Sequence, residues 1–519
     1  MSKKTKKMSV NADKSVNSRG ALSLTWYNIV LQKIKTNPSL IILAIIILVG
    51  SYLRFHALGS EALWLDEAVT YRIGSLDLVS EVWDNAIRDR HPPLHFLIIH
   101  LVTIFSSTEF ALRLPSAIFG ILTIPALYLL AQTMFGKKEA LLSAFILSIS
   151  TFHIYYSQES RMYAQMVFFS LMSIYFIYRA YLENNKWLWV GFAVSGACAF
   201  WSFYYTIFVI IPEVMFYLLI QFKDSVREKR IVVGDIHNLR NFVLSILGLG
   251  LLISPLIVPF VSQSISRTSS SPTWGVGQSM GFFTTILKQF SVSDTGMYFL
   301  LPFFLIGVVF LIKEKTQWKE GLLLGLVFSV PFAASYILAA SMPFSPRHVL
   351  FILPVYILII SRGVVGVGDY LSFLGRSTPK KQAVSFNSVI FVLAFIFILS
   401  LVSAPSVSSY YSSPQKNDWD SAARFFAENS NSGDVIVLLP SYMTQPFEFY
   451  YEQNDRIVTG ASSSEDLENV NSIYNDTKIW YVATWDIAAA NPEGDAVEWL
   501  NENTIGVGQI TGIFIFTNR

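Results

Sequence analysis

Residues Asn37–Ala68 read NPSLIILAIIILVGSYLRFHALGSEALWLDEA. An apolar run of about 20 residues, long enough to cross a bilayer as a helix, leads directly into the carboxylate pair Asp66–Glu67. The rest of the chain has the same character. Of 519 residues, 53% are hydrophobic and 14% charged, with a mean hydropathy of +0.47. Soluble proteins carry roughly 25% charged residues. The composition therefore excludes a disordered chain, a coiled coil and a nucleic-acid binder, and it fits a polytopic membrane protein. The single cysteine, Cys198, excludes a disulfide framework and a cysteine-based zinc site.

Eleven apolar runs are long enough to span, at about 37–57, 110–135, 138–155, 161–182, 187–203, 204–222, 241–262, 297–313, 320–341, 347–363 and 385–404. With the N-terminus inside, the inner segments and their borders hold roughly 23 Lys and Arg, and the outer ones about 7. The basic start MSKKTKK reads as a cytoplasmic anchor of positive charge rather than a signal peptide. An odd number of crossings places the C-terminal part outside. From Ser412 onward there are 16 acidic and 5 basic residues, net −11, whereas the preceding body is net +13. The expected domains are a basic cytoplasmic segment 1–36, a transmembrane body 37–410 and an extracytoplasmic domain 411–519.

His91–Ser106 (HPPLHFLIIHLVTIFS) is apolar but short, and counting it as a crossing would reverse the charge bias of every later loop. It is expected to be a re-entrant or interfacial helix in the first outer loop. Leu76, Val79, Val82, Trp83 and Ile87 precede it at helical spacing and predict an amphipathic helix on the outer surface. In the tail, Asp418–Asn429 reads as a helix and Val497–Asn501 as the core of another. Val435–Leu439, Trp480–Thr484 and Gly512–Phe516 read as strands. The alternation predicts a small α/β domain without a phosphate-cradling glycine motif. Asn475-Asp-Thr matches a glycosylation sequon, a pattern common by chance.

Ionisable groups beside an apolar bundle are functional suspects, and the outer segments collect most of them. Adjacent carboxylates such as Asp66 and Glu67 repel, which can raise one pKa and leave a base near neutrality. The bland alternative is a pair of solvated loop acids. Pro92 and Pro93 hold Arg90 and His91 at the mouth of an apolar segment, where an Arg can bind a phosphate or simply snorkel. His91, His95 and His100 are spaced by four and five residues, but no carboxylate interleaves them and HExxH is absent, so no metal is expected. Glu159 and Arg161, in YYSQESRMY, lie where a helix should enter lipid, and an aromatic belt explains the tyrosines better than it explains this pair. Arg347 starts another apolar helix. Three arginines on one face with a carboxylate pair look like an anion site beside a base.

WLDEA (Trp64–Ala68), DRHPPL (Asp89–Leu94), FALRLPSAIFG (Phe110–Gly120), YYSQESRMYA (Tyr155–Ala164) and PRHVLFILP (Pro346–Pro354) together resemble the membrane glycosyltransferases of the GT-C fold. The branch most similar is that of the protein O-mannosyltransferases and lipid A aminoarabinose transferases, over about residues 37–365. The resemblance implies a polytopic helical membrane protein with a small outer α/β domain. It implies transfer of a sugar, such as mannose, from a polyprenyl-phosphate carrier to an acceptor hydroxyl on a protein, glycolipid or cell-envelope polymer, outside the cell membrane. Asp66 would be the general base with Glu67 beside it. Arg90, Arg161 and Arg347 would meet the lipid phosphate, with His91 and Glu159 in support. His91 takes the place where some relatives carry a Lys. No cofactor and no metal are implied.

Two other classes predict different sequence features. A flippase for a lipid-linked sugar predicts inverted repeats and buried midplane charges, which the sequence does not show. A non-catalytic glycan-binding subunit predicts that the tail domain matters and Asp66 does not.

Overall fold

The computed structural model describes residues 37–228, 236–268, 275–279, 281–291, 293–377, 387–452 and 455–518; the basic segment 1–36 lies outside the described residues. Helix α1 (Pro38–Phe55) starts on a proline at its first turn, where no amide donor is needed. The loop after it folds into three short helices, α2 (Leu65–Gly74), α3 (Val79–Arg88) and α4 (Leu94–Thr103). Then come α5 (Glu109–Met134), the bent pair α6 (Lys137–Ser148) and α7 (Thr151–Ser157), α8 (Tyr163–Glu183) and α9 (Lys186–Ser202). The body closes with α10 (Ile207–Glu228), α11 (Ile236–Thr268), α12 (Gly281–Phe290), α13 (Asp294–Lys313), α14 (Trp318–Leu338), α15 (Leu353–Ser377) and α16 (Ser388–Ser412).

Helices occupy all eleven apolar runs. Among the described residues, eight are long and apolar enough to cross a membrane, or nine if the bent pair is one span. The two remaining helices fall short for plain reasons: α8 is rich in tyrosine and serine, and α9 has 17 residues. The short loop helix α4 is too short to span, in line with the interfacial or re-entrant expectation. The most apolar part of Pro346–Leu374, most of it α15, is almost wholly buried and forms the centre of the bundle, whereas α1, α11 and α16 are mostly exposed and lie outermost. Close packing at the centre needs a missing side chain. A Cβ on Gly363 would sit 2.0 Å from the Phe303 carbonyl oxygen, so glycine lets α15 lie directly on α13.

One expected straight span, 138–155, is broken by 61° between α6 and α7. Arg54, fully buried at the end of α1, occupies the break. Its guanidinium donates to the carbonyls of Ser148 (3.1 Å) and Leu147 (3.2 Å), the second of which also accepts from the Ser150 amide (3.3 Å), and lies 2.9 Å from His153 Nδ1. The arginine does for this helix end what water does on a surface.

The tail forms α17 (Trp419–Asn429), β1 (Val435–Leu439), α18 (Thr444–Tyr450), β2 (Ile457–Gly460), α19 (Ser464–Ile473), β3 (Ile479–Thr484), α20 (Asp495–Asn503), β4 (Ile505–Ile510) and β5 (Ile513–Thr517). The strand order is β2-β1-β3-β5-β4, with β1 parallel to β2 and β3, and β5 antiparallel to β3 and β4. Apolar clusters cover both faces: Trp419, Phe426 and Phe447 pack on one, Leu467, Trp499 and Leu500 on the other. Strands β1 and β3 are buried along their length, as their continuous apolar sequence requires.

The domain docks on the first loop of the body. Tyr450 Oη accepts from the Leu63 amide (2.8 Å) and donates to Glu109 (2.9 Å). Phe449 meets Tyr71 edge-on with ring centroids 4.7 Å apart. The tail domain and the α2–α4 loop thus share one end of the bundle.

Candidate active site

Two adjacent residues on the first turn of α2 have opposite surroundings. Glu67 is fully buried. Arg113, from α5, grips it with Nε on Oε1 and Nη2 on Oε2, both at 2.8 Å. The Ser160 amide donates to Oε1 (2.7 Å) and Lys416 Nζ to Oε2 (2.8 Å). The other Arg113 donors go to the carbonyls of Leu58 (3.1 Å), Glu61 (2.8 Å) and Ala62 (3.0 Å), so every guanidinium hydrogen has a partner. Burial alone would raise the Glu67 pKa; Arg113 and Lys416 overcome it and hold the carboxyl below the ordinary range. This corrects the expectation of a mutually repelling acid pair. Glu67 is neutralised by two cations and faces away from solvent, so it anchors the loop.

Asp66 remains 27% exposed. Its Oδ2 lies 3.6 Å from Arg347 Nη1 and 3.9 Å from Arg161 Nε. Both separations are too long for a made hydrogen bond, so the carboxylate is flanked by positive charge while its lone pairs stay open. Arg161 is held rigidly. Its Nη1 donates to the Asp66 carbonyl (3.2 Å) and to Thr70 Oγ1 (2.9 Å), and its Nη2 meets His91 Nε2 at 3.2 Å. His91 Nδ1 lies 2.9 Å from Asp89 Oδ2. These partners assign the proton to Nδ1 and leave Nε2 as acceptor, the neutral tautomer. Burial lowers the His91 pKa, and Arg161 lowers it further. Arg347 lies over the rings of Trp64 (5.6 Å) and Tyr163 (5.7 Å), which fix its plane beside Asp66.

Arg90 stands elsewhere. It has a left-handed backbone (φ 64°) and an exposed side chain. It edges a mostly apolar cavity of about 250 Å³ with Pro92, Phe203, Tyr205, Phe260 and Arg267. Arg267 Nη2 donates to the Arg90 carbonyl at 3.3 Å. Of the three expected arginines, the structure brings Arg161 and Arg347 to Asp66 and sets Arg90 beside the adjoining cavity. Glu159 is 1% exposed, and neither carboxylate oxygen meets the geometry of a hydrogen bond. Burial, with Glu67 nearby, raises its pKa to about 7 against the opposing pull of Lys416. His95 and His100 do not converge with His91: they meet Gln165 (3.2 Å) and the Gly74 carbonyl (3.0 Å) respectively.

Four basic residues escaped the sequence reading: Arg54, Arg113, Arg267 and Lys416. Arg113 carried a usable signal, a lone charge inside an apolar helix. Lys416 carried none, because its partner lies in the first loop.

Residues 90–239 match the family model described as dolichyl-phosphate-mannose-protein mannosyltransferase. An uncharacterized protein of Aquifex aeolicus is 30% identical over 153 residues, 28% of this chain and 31% of that protein. The match spans less than a third of the length of the curated relatives. Among solved structures, ArnT from Cupriavidus metallidurans bound to undecaprenyl phosphate superposes with a TM-score of 0.52 at 13% identity, covering 92% of this chain and 98% of that one. The archaeal oligosaccharyltransferase AglB from Archaeoglobus fulgidus, in complex with an inhibitory peptide and a dolichol-phosphate, gives 0.54 at 15% identity, covering 94% and 75%. The chain thus has the GT-C fold seen in ArnT and AglB, and over residues 90–239 it is similar to the protein mannosyltransferases.

Proposed function

We propose that the protein transfers a sugar, a hexose such as mannose, from a polyprenyl-phosphate carrier to an acceptor hydroxyl on the outer side of the membrane. One observation carries the reading: an open carboxylate, Asp66, flanked by two arginines next to a mostly apolar cavity edged by two more. In this reading Asp66 takes the proton of the acceptor hydroxyl as its oxygen attacks the anomeric carbon. The bond from that carbon to the phosphate oxygen breaks, and the departing phosphate gathers negative charge. Arg161 and Arg347, held beside Asp66, would meet that charge, and fixed cations stabilise such charge without reorganising. Arg90 and Arg267 edge the apolar cavity and would meet a lipid phosphate there, and Phe203, Tyr205 and Phe260 would give its first prenyl units an apolar wall. The undecaprenyl phosphate in the ArnT structure and the dolichol-phosphate in the AglB complex support a ligand of this kind. The charge bias of the loops supports an outer site.

The test uses purified protein in right-side-out vesicles, a panel of polyprenyl-phosphate sugars and membrane-impermeant acceptors carrying hydroxyl groups. A gain of one sugar mass on an acceptor is expected. No gain with any donor, or transfer only from the lumenal side, contradicts the reading.

A further inference from the structure

The linker between α16 and α17 places a cation against the first loop of the body. Lys416 Nζ lies 2.8 Å from Glu67 Oε2, with the two side chains 6% and 0% exposed. The linker is itself fixed at both ends. The Gln415 amide donates to Glu61 (2.6 Å), and the Asp418 amide to the carbonyl of Thr511, in the turn between β4 and β5 (3.0 Å). The ammonium therefore reports where the C-terminal sheet sits relative to the loop.

Glu67 is a junction of separate segments. Arg113 comes from α5, the Ser160 amide from the turn before α8, and Lys416 from the tail. Arg113 lies on α5, Ser160 lies one residue from Arg161, and Lys416 lies on the linker to the tail domain. Glu67 adjoins Asp66, and Ser160 adjoins Arg161, so the junction sets the two sides of the Asp66–Arg161 gap at once. Lys416 lines a cavity of about 20 Å³ with Glu159, Arg113 and Gln158, none of which lines the Arg90–Arg267 cavity. Lys416 also borders a cavity of about 310 Å³ with Glu61, Gln158, Tyr410 and Thr511, but its ammonium is engaged by Glu67.

We propose that Lys416 is a positioning residue: through its buried pair with Glu67, the C-terminal domain holds the Asp66 helix and the Arg161 turn in register for transfer. The proposal rests on the transferase reading above and adds the role of the tail domain in it. It requires the domain to be docked for the reacting groups to be aligned, and it gives Lys416 no contact with donor or acceptor.

The test compares K416M and K416R with the wild-type full chain, using the donor and acceptor that show transfer. K416M keeps the length and loses the charge. Its kcat is expected to fall about tenfold or more, in keeping with the sensitivity of rates to small misplacements of reacting groups. The KM for the lipid donor should stay within about twofold, because an alignment defect lowers kcat without weakening ground-state binding. K416R should recover most of the loss. Hydrogen–deuterium exchange adds a readout free of activity. In K416M, peptides covering 62–74 and 158–163 should exchange faster, while peptides of the central strands 435–439 and 479–484 keep their protection. If K416M resists purification, K416Q, which keeps a donor without charge, makes the same comparison. A K416M kcat within twofold of wild type, a rise in KM alone, or unchanged exchange at 62–74 overturns the proposal. If the wild-type chain transfers nothing, the transferase reading fails, and the exchange comparison still decides whether Lys416 holds the loop.

Discussion

Asp66 meets guanidinium groups at 3.6 and 3.9 Å and keeps part of its surface in solvent, whereas Glu67 is sealed between Arg113 and Lys416. A buried charge is tolerated only with such partners, since an unpaired one costs several kcal/mol. Glu159 is the exception, buried among carboxylates and cations without a well-formed hydrogen bond. Its folded-state pKa of about 7 stands above the ordinary value near 4.5. The folded protein therefore binds this proton more tightly than the unfolded chain. The stabilisation is complete below about pH 4.5 and is lost as pH rises through about 7. Glu67 has the opposite sign: its contribution is present above the ordinary carboxylate range and is lost as pH falls toward its lowered folded value. Thermal unfolding in detergent should show a melting temperature that declines between pH 5 and 7.5 in the wild type. In E159Q that decline should flatten, because the amide has no proton to lose. An E159Q slope equal to that of the wild type would remove Glu159 as its source.

One side chain from another helix occupies the bend between α6 and α7. Arg54 occupies the carbonyls of Leu147 and Ser148 and leaves His153 within reach of the same guanidinium. Replacing it with methionine strands the Ser148 carbonyl in an apolar interior, at about 1–3 kcal/mol for the orphaned group, while the Leu147 carbonyl keeps the Ser150 amide. R54M should unfold at a lower temperature, as followed by circular dichroism, and unchanged unfolding would show that the break is stable without it. The sequence carried the runs on both sides of this bend but not the bend, because local apolarity says nothing about a distant arginine. The tail shows the same division. Strands β1 and β3, continuous in Val, Ile, Leu and aromatic residues, were legible. Strand β4, IGVGQI, was missed: two glycines weaken its strand signal, and it lies at an exposed edge. At the site, Asp66, Arg161 and Arg347 were readable as a group because charges are scarce in an apolar chain. The Glu67–Arg113–Lys416 junction was not, since it is created by the docking of the tail.

Over the molecule, charge is divided as the fold requires. A basic body with a buried central helix carries an acidic domain at the end where the first loop lies, and the ionisable groups of the candidate site gather at that junction. The body sets the carboxylate, the arginines and the apolar cavity side by side, and the domain closes over the loop through Tyr450, Phe449 and Lys416. The account assigns the proton transfer to one atom group, so one substitution bears on it directly. D66N keeps the size of the side chain and removes its capacity as a base. With the active donor and acceptor, the purified D66N protein should transfer sugar about 10²–10⁴ times more slowly than wild type, while still binding the polyprenyl-phosphate donor. Transfer by D66N at the wild-type rate would contradict the account.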